Sequence, residues 1–273
     1  MRGAGASGSN LVLENPFSSR GGASSRAPAR AEVSPQIAGP AAPSEVQSTH
    51  AIGPRRLVLR PLTGFEEEVI ERHQNNPNTA ALCNEILARC LVPPGADASG
   101  MVSQVQNLTV AERDAALLDL RRISLGDRVI CEVNCPVCGK NNEVDFLLSQ
   151  LPVDFGPTFN PTAGVETVLP SGVNAVMRLP TAGDQEKLLA NPPETESERR
   201  TFLLASVLLK LGDEEGPFEP NRVRALGIGE RRALEQAIEE RTPDLDLSMG
   251  VSCNACGGSF VAPFDVAAFF LPK

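Results

Sequence analysis

"CPVCGK" at residues 135–140 and "CNACGG" at residues 253–258 are one device written twice. Each places two cysteines three positions apart, with glycine directly after the second. Such a turn aims both sulfurs at one point, and the glycine lets the backbone bend so that amide groups face the thiolates. One turn supplies two ligands, whereas a tetrahedral zinc takes four. Both turns sit in β-like sequence, "VICEVN" and "EVDFLL" around the first, "LDLSMGV" and "FVAPF" around the second. Two hairpins that each offer two thiolates make a zinc ribbon, with Cys135, Cys138, Cys253 and Cys256 as the expected ligands of a structural Zn2+. Between Cys138 and Cys253 lie 114 residues, 139 to 252. The ribbon is therefore expected to be split, with sequence-distant strands tied by the ion. Loop-closure cost grows only logarithmically with length, while a structural zinc contributes on the order of 10 kcal/mol.

Three other readings of the cysteines stand beside this one. Redox Cys-x-x-Cys pairs open a helix whose N-terminus lowers a thiol pKa, and here both pairs lie between strands. A catalytic zinc keeps an open position and favours His or carboxylate ligands. The chain has two His, His50 and His73, neither near the pairs. The cysteines could also be plain core residues. That is the reading for Cys83 and Cys90, which share one face of a helix with Ile86 and Leu87, and for Cys131, which lies in a strand beside Val129 and Val133.

Outward from the cysteines, the pattern predicts an α+β chain. Residues 1–56 are rich in Gly, Ala, Ser, Pro and Arg, with almost no periodic apolar pattern, and are expected to form a disordered tail. Residues 57–126 read as a helical part. "NTAALCNEILARCL" (78–91) has one apolar face, and "TVAERDAALLDLRRIS" (109–124) opens on a capping box from Thr109 to Glu112. The split ribbon is expected at 127–150 and 245–273. Between its halves an inserted subdomain, 151–244, carries a β-hairpin about "PSG" (170–172) and helices at 183–190, 195–212 and 229–241. No repeat of solenoid period is visible.

Charge narrows the function. Formal net charge is −9, but residues 1–56 hold six Arg against three Glu, so residues 57–273 carry −12. A folded part that acidic repels phosphate backbones, and it has no Trp or Tyr for stacking. Nucleic acid is excluded as the first partner to consider. A zinc-ribbon adaptor acting on nucleic acid or transcription machinery remains the alternative class, although such adaptors need a basic or stacking surface. No stretch approaches the roughly 18 apolar residues of a membrane span, and the chain reads as soluble and cytoplasmic. With almost no His to act as base, no nucleophile–base constellation is present, and the expected role is non-enzymatic.

The order of "LRPLTGFEEEVI", "NLTVAERDAALLDLRRISLGDRVICEVNCPVCGK", "LPSGVNAVMRLPTAGDQEKLL" and "CNACGGSFVAPFDVAAFF" resembles the baseplate hub and assembly proteins of T-even-type contractile phage tails, with relatives in phage-tail-like contractile injection systems. The resemblance covers roughly residues 57–270. It implies a role in building or bridging a baseplate, with other baseplate, hub or spike proteins as partners. It also implies assembly in the cytoplasm and a place in the tail or tail-like particle, with the four cysteines as structural ligands. The final run "FVAPFDVAAFFLPK" concentrates Phe260, Phe264, Phe269 and Phe270 after the second turn. A thin hairpin has little interior of its own, so Phe264, Phe269 and Phe270 are expected either to meet a partner or to close the core of the inserted subdomain.

Overall fold

The computed structural model describes residues 48–52, 55–73, 76–151, 153–156, 159–243, 245 and 247–263. Its elements form two lobes in sequence. The first begins with β1 (Ser48–Ile52) and β2 (Arg55–Leu59), paired antiparallel with Ser48 opposite Leu59. Ordered chain thus starts ahead of the boundary expected at residue 57. Composition hid this because β1 is held by backbone pairing, which needs no apolar periodicity. The rest of the expected tail, residues 1–47, lies outside the described residues.

Helices follow: α1 (Gly64–His73), α2 (Thr79–Cys90), α3 (Ser99–Gln106) and α4 (Val110–Leu125). Cys83, Ile86, Leu87 and Cys90 form the buried stripe of α2. The capping box of α4 is in place, Thr109 Oγ1 accepting from the Glu112 N–H and Glu112 from the Thr109 N–H. A hairpin of β3 (Arg128–Asn134) and β4 (Asn141–Leu147) closes the lobe.

The second lobe opens with β5 (Val165–Val168) and β6 (Asn174–Met177), a hairpin about Pro170–Gly172. It continues through α5 (Ala182–Ala190), α6 (Glu196–Val207), β7 (Leu208–Leu211), β8 (Glu214–Glu215), α7 (Pro220–Arg224) and α8 (Ile228–Arg241). The run 195–212, expected as one helix, is helix over Glu196–Val207 and strand over Leu208–Leu211. After Val207 the chain turns extended and pairs along β6, giving the sheet order β5-β6-β7-β8. Apolar "LLKL" suits either period over so few residues, and the open edge of β6 decides between them. A last hairpin, β9 (Ser248–Ser252) with β10 (Ser259–Pro263), does not join the second lobe. Met249, Val251 and Ala262 enter the first core beside Leu59, Leu87, Leu120 and Val129, whereas the second core is built from residues 165–238.

The two lobes share one order of elements, apart from β7 and β8, which the first lobe lacks. Leu59, Arg60, Thr63, Glu66, Val105, Glu112 and Leu120 have counterparts in Met177, Arg178, Thr181, Asp184, Val223, Glu230 and Ile238, each 118 positions later (59 to 177, 120 to 238). Helices α2 and α6 are both 12 residues long and start 117 positions apart (79 and 196). Cys135 and Cys138 map onto Cys253 and Cys256 at the same offset (135 to 253, 138 to 256). The segment expected as an insert therefore carries the counterpart of residues 48–126. The repeat is far longer than a solenoid period, and few of its positions are identical.

Equivalent hydrogen bonds accompany equivalent places. The Arg60 N–H donates to Cys90 O (3.0 Å) and that of Arg178 to Val207 O (3.0 Å). The guanidinium of Arg60 donates from Nη2 to Arg89 O, that of Arg178 from Nη2 to Ser206 O, each at 2.8 Å. Both guanidinia then grip the acid in the first turn of the next helix, Arg60 binding both Glu66 oxygens at 2.9 Å and Arg178 Nη2 binding Asp184 Oδ1 at 2.8 Å. Each acid also accepts from the N–H of the helix-capping threonine, Thr63 or Thr181. One clamp thus fixes a strand end, a helix start and the end of another helix.

Burial alone would raise the Glu66 carboxyl. The Arg60 hydrogen bonds, helped by the Thr63 hydroxyl and N–H, outweigh it and hold the group below its ordinary 4.5. A carboxyl depressed by folding stabilises the protein above its unfolded pKa and loses that contribution as pH falls through the folded value. Urea unfolding should therefore show the stability gap between wild type and Glu66→Gln largest near neutral pH and shrinking below about pH 4.5. Arg60→Met, which strands a buried carboxylate, should cost about 3–5 kcal/mol at pH 7.

Candidate metal centre

Both cysteine turns are built alike on the ends of their hairpins. In the first, the Cys135 N–H donates to Lys140 O and the Gly139 N–H to Cys135 O, each at 2.9 Å. In the second, Cys253 donates to Gly258 O and Gly257 to Cys253 O, again at 2.9 Å. Gly139 and Gly257 both sit at φ 70°, a left-handed conformation that explains glycine after the second cysteine.

The turns face each other. Cys135 Sγ lies 3.8 Å from Cys256 Sγ, and Cys138 Sγ lies 3.6 Å from Cys253 Sγ. All four sulfurs fall within 4.8 Å of one another. A tetrahedral ion with metal–sulfur distances of about 2.3 Å separates its sulfurs by about 3.8 Å. The donor set therefore fits a four-coordinate metal with no position left over. Cys135 and Cys253 are buried while Cys138 and Cys256 are exposed, so one edge of the cluster faces solvent.

Amide groups and neighbouring thiols pull the sulfurs in opposite directions. The N–H groups of Cys256 and Ala255 hold the Cys253 thiol down to about 6. Across from it the Lys140 N–H favours the Cys138 thiolate, but burial and the three adjacent thiols prevail and push that group up to about 12. Four sulfurs this close cannot all be anionic without a cation among them. The cluster is compatible with a metal ion held among the four sulfurs.

Asn142, on β4, was not legible as part of the site. It is buried, donates from Nδ2 to Lys140 O at 2.9 Å, and accepts the Asn254 N–H on Oδ1 at 3.0 Å. One side chain thereby fixes the first turn and links it to the second. The signal available in the sequence was a polar residue at an inward strand position, which alone names no partner.

The remaining cysteines take no part. Cys83 and Cys90 are buried in the first core and Cys131 packs at its margin. Burial, and then the charge of Glu66, push the Cys90 thiol up to about 12, which suits an inert core group. His73 Nδ1 lies 2.9 Å from Val69 O on its own helix. Phe260 packs against the first core, whereas Phe264, Phe269 and Phe270 lie outside the described residues. Among those residues no helix is long and apolar enough to cross a membrane.

A mixed α+β chain with a four-cysteine cluster describes a broad class of proteins, and the comparison with family models narrows it. The chain belongs to the T4 bacteriophage base plate protein family, whose model matches residues 44–271. That match opens just ahead of β1, in keeping with ordered chain before residue 57. No curated protein and no solved structure matches the chain.

The bridging role of Asn142 is open to measurement. Asn142→Ala should weaken metal binding by about 10–100-fold in a competition titration with a chromophoric chelator. Its far-ultraviolet circular dichroism should match wild type.

Proposed function

We propose that this protein is a non-enzymatic structural or assembly component of a contractile-tail baseplate, held in shape by one structural Zn2+ on Cys135, Cys138, Cys253 and Cys256. Membership of the base plate family over residues 44–271 carries the role. The metal assignment rests on the four sulfurs within 4.8 Å. Soft thiolates in a tetrahedral set select zinc or an iron–sulfur centre, and four protein ligands with no open position suit a structural ion. Zinc would make the two hairpins one split ribbon. Its cysteines then lock β9 and β10 to the hairpin of the first lobe, so both ends of the second lobe are anchored on the first.

Partners in this reading are other baseplate, hub or spike proteins of a contractile tail or injection system, met during assembly in the cytoplasm. An acidic folded part, −12 over residues 57–273, favours protein surfaces over nucleic acid. The run after β10, with Phe264, Phe269 and Phe270, is the proposed contact, since buried aromatic anchors carry much of the energy of an interface.

Elemental analysis of the purified protein should give close to one zinc per chain and no visible absorption band. Cys253→Ser should lose most of the metal. A folded wild type without metal, or full metal in that variant, would overturn the assignment. In pull-downs with baseplate and spike components, the double variant Phe269→Ser/Phe270→Ser should keep its zinc and lose binding by at least about 10-fold. Retained binding would put the interface elsewhere.

A further inference from the structure

The lobes of one chain meet through a contact whose two faces each recur, unmatched by that contact, elsewhere on the molecule. Inside the chain α5 docks on α2, α3 and the start of α4. Asn84 Nδ2 and Gln106 Nε2 both donate to Glu186 Oε2, at 2.8 and 3.1 Å, and Asn78 Nδ2 donates to Glu186 O at 2.9 Å. Ala182 N donates to Leu108 O and Val110 N to Pro180 O, closing an antiparallel bridge between Thr109 and Thr181. The first lobe thus offers its α2–α3–α4 face, and the second offers α5.

Each lobe carries both kinds of face. The counterpart of α2–α3–α4 in the second lobe is α6–α7–α8. The counterpart of α5 in the first lobe is α1. At the place on α6 and α7 equivalent to the one that α5 occupies on α2 and α3 there is a cleft of about 320 Å³, lined by Pro192, Thr201, Phe202, Pro220 and Arg224 among others. Thr201 corresponds to Asn84 (117 positions on) and Arg224 to Gln106 (118 positions on). Ile228, the counterpart of Val110 at the rim of this face, is 73% exposed. On α1, Phe65 is 54% exposed, and Glu67, Glu68 and Glu71 face solvent around it.

We propose that two copies of this chain associate head to tail, α1 of one copy entering the cleft between α6 and α7 of the next. One ion pair would set the register of the pairing. Glu68 corresponds to Glu186 (68 to 186) and Arg224 to Gln106, so a polar contact inside the chain becomes an ion pair between copies. Arg224, exposed beyond its bond to Asn221 Oδ1, is free to make it, although Glu194 and Glu198 line the same cleft. The contact is not a replica of the internal one. A methyl group at Gly183 would lie only 3.2 Å from Gln106, whereas its counterpart is Phe65. The tip of that ring lies over Gly95 of its own chain, and its exposed part is what the proline- and phenylalanine-lined cleft would receive. Because different faces mate, the contact is heterologous and extends to rings or filaments instead of stopping at a symmetric dimer. It depends on neither the metal nor the baseplate role.

Sedimentation velocity from about 1 to about 200 µM should show the wild type growing beyond monomer as concentration rises. Phe65→Ser and Arg224→Glu should each weaken association by at least about 10-fold. Mixed together, the two single variants should form a complex that stops at one copy of each, since the first keeps an intact cleft and the second an intact α1. Glu68→Arg combined with Arg224→Glu in one chain should restore self-association. A wild type that stays monomeric throughout, or mixed variants that fail to pair, would overturn the proposal.

Discussion

A guanidinium lodged between helix ends has to find fixed acceptors for its donors, and the architecture is arranged around meeting that demand twice. Arg60 and Arg178 each collect the carbonyls at the end of one helix and the carboxylate at the start of another. Because the acid also accepts from the N–H of the threonine just ahead of its helix, the helix start cannot shift without disturbing the ion pair. Direction and depth of α1 and α5 follow from this. The clamp is costly to desolvate, so its worth lies in fixing geometry more than in net stability. Everything placed by those helices inherits its precision, including the seam between the lobes, where Gly183 approaches Gln106 too closely for a side chain.

The cysteine cluster solves a different problem. Hairpins β3–β4 and β9–β10 are two-stranded, and such ribbons are marginal by themselves in water. Each gains by burying one face on the first core, to which Val129, Met249, Val251 and Ala262 contribute. Their tips still need fixing relative to each other. Cys135, Cys138, Cys253 and Cys256 meet there with Asn142 between the turns. A metal at that point closes a loop that contains the whole second lobe, and the logarithmic cost of closure makes the length of that loop a minor matter.

The repeat pairs features of the two lobes without making the lobes interchangeable. At the counterpart of the loop after α2 the second lobe has β7 and β8, which extend the hairpin sheet to four strands. The short α7 replaces the eight-residue α3. Phe65 stands where the other lobe needs Gly183. Differences of this kind break the symmetry of the repeat, and they leave one lobe face filled by its neighbour and its counterpart open as a cleft.

Much was legible in the chain itself. Paired Cys-x-x-Cys-Gly turns in β-like flanks named four residues, because a turn with a left-handed glycine is a local matter. The stripe of α2 and the capping box of α4 were equally readable, since periods of three to four residues and contacts between neighbours in sequence are what a linear string records. Other features were settled only in three dimensions. Val207 ends a helix because β6 offers an open edge to residues 208–211. Asn142 joins two turns because Asn254 arrives from 112 residues away. The repeat emerged from equivalent contacts, Arg60 with Glu66 and Arg178 with Asp184, where few identities mark it. Sequence determines what each short segment prefers; which distant edge, acceptor or thiolate completes it depends on distances that only the folded chain defines.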